Sequence, residues 1–208
     1  MKTNNDAQCK LCRAAGKKLM LKGDKCASAK CTMNSNPTPP GFHGAKRKAK
    51  VSQYGQQLAE KQKAKRTYGM REKQFRLFFD RAQKKGDAGE NLFRMLEMRL
   101  DNVIYRLGFA PSRAAARQMV SHGMFSVNTT KVNIASYLVK PGDVIKIRAN
   151  KRKNKTFVDL AEKIKRTQMP SWLNYDAKED IAKVLHEPKK DDLDKSLNAQ
   201  AIVEFYSK

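Results

Sequence analysis

Residues 99–131, RLDNVIYRLGFAPSRAAARQMVSHGMFSVNTTK, change hydrophobic period part-way along, which limits what the chain can become. Leu100, Val103, Ile104 and Leu107 recur at i, i+3, i+4 and i+7, one apolar face of a helix. Gly108 is a C-terminal stop, and Pro111-Ser112 offers a turn and an N-cap. Ala114, Ala115 and Ala116 open a second helix that Gly123 ends. Beyond it Phe125 and Val127 alternate with Ser126 and Asn128, the period of a strand. The stretch therefore reads as two short helices feeding a hairpin.

Its basic residues are placed apart from that core stripe. Arg113, Arg117 and Ser121 share one face of the second helix, whereas Ala116, Met119 and Val120 lie on another. Arginines at i and i+4 repel by about 0.2–0.5 kcal/mol in an isolated helix, a cost that a bound phosphate chain reverses. On this reading Arg113 and Arg117 can both be replaced by alanine with stability unchanged or slightly raised. Arg106, Ser121, His122 and Asn128 extend the same surface towards the hairpin.

The whole chain carries Lys+Arg 44 against Asp+Glu 20, a net charge of +24 over 208 residues. Such an excess calls for a partner rich in phosphate. No apolar run approaches the roughly 18 residues of a membrane span. Met1-Lys2-Thr3-Asn4-Asn5-Asp6 has no apolar signal core, so a cytoplasmic protein is expected.

The four cysteines all fall in the first 31 residues, at Cys9, Cys12, Cys26 and Cys31. C-x2-C, a 13-residue loop and C-x4-C make two thiolate pairs, and in a reducing compartment such pairs bind metal rather than form disulfides. Four soft ligands suit a tetrahedral zinc ion. They also suit an iron–sulfur cluster, and the spacing does not choose between the two. The loop has few apolar residues, so metal must supply most of its folding energy.

A Pro-rich linker follows, ending in Phe42-His43-Gly44-Ala45 and the basic run Lys46, Arg47, Lys48 and Lys50. The cysteine set is complete without His43, which is assigned to phosphate or base contact. Ser52 caps a helix reaching about Tyr68, with Lys61, Lys63, Lys65 and Arg66 crowding its end. Phe75, Phe78, Phe79 and Ala82 form a core stripe, with Arg71, Lys73 and Arg76 outside it. A third helix begins at Asp87 and is expected to run on into Leu100, since no Gly or Pro separates them. Ile145 and Ile147 alternate with Lys146 and Arg148, a half-buried strand with a basic outer face. Phe157, Leu160, Ala161 and Ile164 mark an amphipathic helix, and Lys151 to Lys155 a second basic run. Trp172 is expected in the core or against a partner. Ile181, Val184 and Leu185 mark a short helix closed by Pro188, and the apolar tail Ile202 to Tyr206 should pack back on the N-terminal helices.

Several motifs together resemble bacterial small-subunit ribosomal protein S-four in its four-cysteine form. The central ones are Arg99-Leu100-Asp101-Asn102, Tyr105-Arg106, Ser112-Arg113, Ala116-Arg117-Gln118 and Ser121-His122. Tyr54-Gly55, Gly89-Glu90-Asn91-Leu92, Asn133-Ile134-Ala135-Ser136-Tyr137, Trp172-Leu173 and Val203-Glu204-Phe205-Tyr206-Ser207-Lys208 extend the likeness over essentially the whole chain. One departure is Thr129 after Asn128, where the family usually has Gly. A β-branched residue resists the positive φ of a tight turn, so a wider turn is expected.

The resemblance implies an α+β fold in three parts: a metal knuckle and linker at 1–45, a helical domain at 46–97 joined by 188–208, and an RNA-binding module at 98–187. That module is a helix-turn-helix plus a small antiparallel sheet. The resemblance also implies a non-enzymatic structural constituent of the small ribosomal subunit. It would bind small-subunit ribosomal RNA, nucleate the RNA's five-prime domain, touch protein S-five, and lie where messenger RNA enters, with an effect on accuracy. No membrane and no small-molecule substrate is implied. The RNA set so read is His43, Lys46, Arg47, Lys48, Lys50, Arg71, Arg99, Arg106, Ser112, Arg113, Arg117, Gln118, Ser121, His122 and Asn128.

Two other functions compete. An RNA-modifying enzyme carrying this module needs a catalytic domain, and neither a Gly-rich phosphate loop nor a nucleophile–base pair is visible. A zinc-dependent DNA-binding protein needs a base-reading helix after the knuckle, where the Pro-rich linker stands.

Overall fold

In the computed structural model the Ser52 hydroxyl accepts the Gly55 N–H at 3.2 Å and so starts a helix, α4, at Gln53–Thr67, as its sequence predicts. The structure describes residues 7–46, 50–84, 86–154, 157, 160, 162, 164, 167–177, 179–194 and 196–207. The fold is α+β, in two compact units: Met1–Leu92 with Lys195–Lys208, and Phe93–Asp194.

The first unit is helical among the described residues. Short helices α1 (Gln8–Ala15), α2 (Asp24–Ala27) and α3 (Thr32–Ser35) carry the cysteines or adjoin them. Beyond α4 lie α5 (Glu72–Gln83) and the start of α6 (Ala88–Glu97). Phe75, Phe78, Phe79 and Ala82 are all buried, as an i, i+3, i+4, i+7 stripe demands. The C-terminal helix α9 (Ala199–Tyr206) returns to α4, where Gln57 donates to the Glu204 carboxylate at 2.7 Å. Its Tyr206 ring stacks on Phe79 at 4.6 Å between centroids. A Cβ at Gly89 would meet the Ala199 Cβ at 3.1 Å, so α6 approaches α9 too closely for a larger residue. Lys61 and Lys63 do not crowd the helix end as solvated cations. Both are buried, Lys61 against Glu72 at 2.7 Å and Lys63 against the Ser196 carbonyl.

In the second unit α7 (Leu100–Arg106) and α8 (Arg113–Ser121) pack on one sheet. Its strands are β1 (Phe125–Val127), β2 (Thr130–Val132), β3 (Val144–Ile147), β4 (Leu173–Asp176) and β5 (Ile181–Val184). Among the described residues they are antiparallel in the order β2-β1-β3-β5-β4. Phe125, Val127, Ile145, Ala182 and Leu173 pack with the stripe Leu100, Val103, Ile104 and Leu107. Trp172 is fully buried in this core.

Three expectations are corrected. First, α6 does not run into α7. Arg99 is extended (φ −70, ψ 137), and the 98–100 backbone pairs with 137–139: Val139 N–H donates to the Met98 carbonyl and Leu100 N–H to the Tyr137 carbonyl. A tertiary bridge overrides uninterrupted helical propensity. Second, Ile181–Val184 is a strand. Ile181, Val184 and Leu185 mimic a helical stripe, but the strand lies between β3 and β4, and both sheet faces bury an apolar side chain. Third, the β1–β2 turn is not widened. Val127 pairs with Thr130, leaving only Asn128 and Thr129 between the strands. Asn128 takes the positive φ of 56, and among the described non-glycine residues Thr129 is not in that region. Asn128 is held there because its side-chain oxygen accepts the Val144 N–H at 3.0 Å and its backbone N–H reaches the Val144 carbonyl at 2.6 Å. The helix expected over 157–164 lies partly outside the described residues, as do Arg47, Lys48 and Lys155.

Candidate nucleic-acid interface

The arginines of the central stretch surround two buried acids. Glu97, fully buried at the end of α6, accepts Arg106 Nε and Nη2 at 2.9 and 2.8 Å and Asn102 Nδ2 at 2.7 Å. Arg113 donates to Asn102 Oδ1 at 2.7 Å, lies 3.9 Å from Glu97 and covers the Tyr105 ring at 4.6 Å. Asp101 accepts Arg99 in a fork at 3.0 and 2.8 Å. It also accepts Arg117 at 2.9 and 2.7 Å. A lone carboxylate would be costly at such depth, and forked guanidiniums offset that cost. Four arginines against two acids leave two positive charges in the cluster.

The geometry changes the roles read from sequence. Arg99 and Ser112 are buried, Arg99 holding Asp101 and Ser112 capping α8 through the Ala115 N–H, so both build the module rather than face a ligand. Arg106, Arg113 and Arg117 keep 27%, 12% and 24% of their side chains exposed, with their inner donors on acids. The two α8 arginines are therefore not a repelling pair awaiting phosphate, since buried carboxylates already compensate them. Gln118, Ser121 and His122 are exposed along the C-terminal half of α8 and just past it, and Asn128 is exposed at the hairpin turn. In the first unit His43, Lys46, Lys50 and Arg71 are exposed.

Sequence reasoning missed Glu97. The available signal was an acid at a helix C-terminus, where the dipole disfavours it, within a strongly basic chain. Lys146 lies on the basic outer face that the alternation of its strand predicts, but Lys131 and Lys183 on the same face were missed. Ser126 pairs with both Lys131 and Lys146, so all three side chains point to one face, and Lys183 joins them on β5. Lys183 was hidden by the helical reading of its strand.

The cysteines are free thiols that line one pocket with Leu21 and Met33. Cys12, Cys26 and Cys31 are buried, and Cys26 Sγ accepts the Lys22 N–H at 3.3 Å. Burial pushes the Cys12 thiol up, and the neighbouring Cys26, Cys9 and Cys31 add to it. The donor chemistry fits a soft metal, yet among the described residues no three ligand-type side chains are drawn into a cage.

Residues 3–97 match the family described as ribosomal protein S4/S9 N-terminal domain, and residues 98–145 match the S4 domain. The chain belongs to the ribosomal protein S4 family. It is 52% identical over 201 residues to small ribosomal subunit protein uS4 of Caldicellulosiruptor bescii, covering 96% of each chain. It is 48% identical over 204 residues to that of Syntrophomonas wolfei, covering 98% of each. Against uS4A of Clostridium perfringens the figures are 51% over 203 residues and 97% of each. The S4 family boundary at 97/98 falls between Glu97 and the helix α7 whose arginine it holds.

Proposed function

We propose that this chain is a non-enzymatic constituent of the small ribosomal subunit, binding its ribosomal RNA directly in the cytoplasm. The observation that carries this is 48–52% identity along nearly the whole length of proteins named for that subunit. The charge of +24 and a helix-turn-helix with a cationic margin support it, since folded RNA is gripped largely through phosphates and 2′-hydroxyls. The RNA-facing residues are Arg106, Arg113, Arg117, Gln118, Ser121, His122 and Asn128 in the second unit, and His43, Lys46, Arg47, Lys48, Lys50 and Arg71 in the first. The resemblance supports the finer reading: early binding to the five-prime domain, contact with protein S-five, and a place where messenger RNA enters with an effect on accuracy.

Cys9, Cys12, Cys26 and Cys31 are proposed to hold one zinc ion. It would supply folding energy to a segment with few apolar residues. Arg13 on α1 ties that segment to the linker by donating to the Thr38 carbonyl at 2.6 Å.

The test is filter binding to small-subunit ribosomal RNA and to duplex DNA of equal length at one salt concentration. Preference for the RNA is expected. Preference for the DNA overturns the reading.

A further inference from the structure

Phe42 is 93% exposed, far more than any other large apolar side chain among the described residues. The loop that carries it is built, not slack. Gly44 N–H donates to the Gly41 carbonyl at 3.0 Å, and Lys46 N–H to the His43 carbonyl at 3.1 Å. Gly41 has φ +105, open to glycine at little cost. A Cβ at Gly44 would fall 1.9 Å from the Pro39 carbonyl oxygen, so the loop closes on itself only with glycine there. Arg13 fixes its base through the Thr38 carbonyl. His43 meets the Phe42 ring edge-on, centroids 5.1 Å apart and planes at 83°, with its own ring exposed. Exposed Lys46 and Lys50 follow directly in the chain.

An apolar ring held out by a closed loop gains nothing for folding. What it offers is a flat π-face, with an aromatic buttress at its edge and cations following in sequence. That combination suits a single-stranded nucleic acid, whose bases stack on aromatics while lysines meet the phosphates. We propose that Phe42 is a stacking platform for one unpaired base of the bound RNA, steadied by His43. This rests on the ribosomal-RNA reading above and adds a base contact to it.

The test uses the full chain and small-subunit ribosomal RNA in filter binding across a salt series. Phe42→Ala is expected to weaken binding about 5- to 100-fold, the range of one lost base–aromatic stack. The slope of affinity against salt should stay at the wild-type value, because no charge is removed. Phe42→Leu should lose as much as Phe42→Ala, and Phe42→Trp should keep wild-type affinity. The new indole emission should also be quenched by RNA beyond any change from Trp172 in the wild type. Equal binding by wild type and Phe42→Ala overturns the stacking while leaving the RNA reading intact. Wild-type affinity in Phe42→Leu also overturns it, since that marks an apolar contact such as a protein pocket. Failure of the wild type itself to bind the RNA removes both.

Discussion

Arg117 on α8 donates twice to the buried Asp101 carboxylate on α7, at 2.9 and 2.7 Å. A side chain that helical spacing turns outward thus locks the two helices of the turn together. Because Arg99 approaches the same carboxylate at 2.8 Å, the acid serves one arginine at the start of α7 and one on α8.

Replacing both Arg113 and Arg117 by alanine should therefore destabilise the protein, against the expectation from sequence. It leaves Asp101 with one partner and removes Arg113 from Asn102 and Glu97. The expected loss is about 2–4 kcal/mol, the buried-pair range discounted for guanidiniums that are partly solvent-exposed. Urea unfolding of the double variant checks it; a midpoint at or above wild type defeats the network. Arg117→Lys should recover little, because one ammonium cannot reproduce the fork.

Glu97 gives a sharper case, being fully buried with Arg106, Asn102 and Arg113 around it. Glu97→Gln should keep the shape and an acceptor but lose the charge. RNA affinity in Glu97→Gln should follow the folded fraction at low denaturant, and Glu97→Ala should be the less stable of the two. Equal unfolding midpoints for glutamine, alanine and wild type would show the acid to be passive.

The aromatic stripe of α5 was legible because a helix's buried face is written in local spacing, and all of Phe75, Phe78, Phe79 and Ala82 lie where it puts them. Ile181–Val184 was not, since its state is decided by β3 and β4, far along the chain. The break at Arg99 failed for the same reason: its cause is the 137–139 backbone. The cationic surface was legible in kind, from charge and face. Of the carboxylates that hold it, Asp101 beside Arg99 reads as orienting an arginine, and it does. Glu97 does not read so, and spacing does not reveal that Arg117, Arg106 and Arg113 fold onto the two acids.

The basic run offers a test of charge alone. Lys46, Arg47, Lys48 and Lys50 follow a linker and suit phosphates rather than base edges. Neutralising all four should flatten the slope of log affinity against log salt by about 0.7–0.9 per lost phosphate contact. An unchanged slope would leave the run a solvated segment.

The metal reading is checked on the purified chain by elemental analysis and thiol titration. About one zinc per chain is expected, as a closed four-thiolate site requires. A chelator should expose the four thiols and loosen the N-terminal segment while α5 keeps its protection from hydrogen exchange. A metal-free chain with four reactive thiols and full RNA affinity would end the proposal.

The anchor of the C-terminal helix should titrate in acid. Burial alone would raise the Glu72 carboxyl, but hydrogen bonds from Lys61, Lys65 and Tyr206 outweigh it and hold it down to about 2, from an ordinary 4.5. Tyr206 in turn is held above the usual phenol range, by burial first and then by its bond to that carboxylate at 2.9 Å. A carboxyl with a depressed folded pKa contributes stability that is fully present above its unfolded value. That contribution is lost as pH falls from about 4.5 through about 2. Glu72 is 45% exposed, so solvent and salt screen the gain. Below pH 4.5 the wild type should therefore lose stability more steeply than Glu72→Gln, and less steeply at high salt. Tyr206→Phe, which keeps the stack on Phe79, should cost about 0.5–1.5 kcal/mol at pH 6, where Glu72 is ionised. Hydrogen exchange of α9 between pH 2 and 6 reads both effects, and parallel pH profiles for wild type and Glu72→Gln would rule out this carboxylate as the anchor.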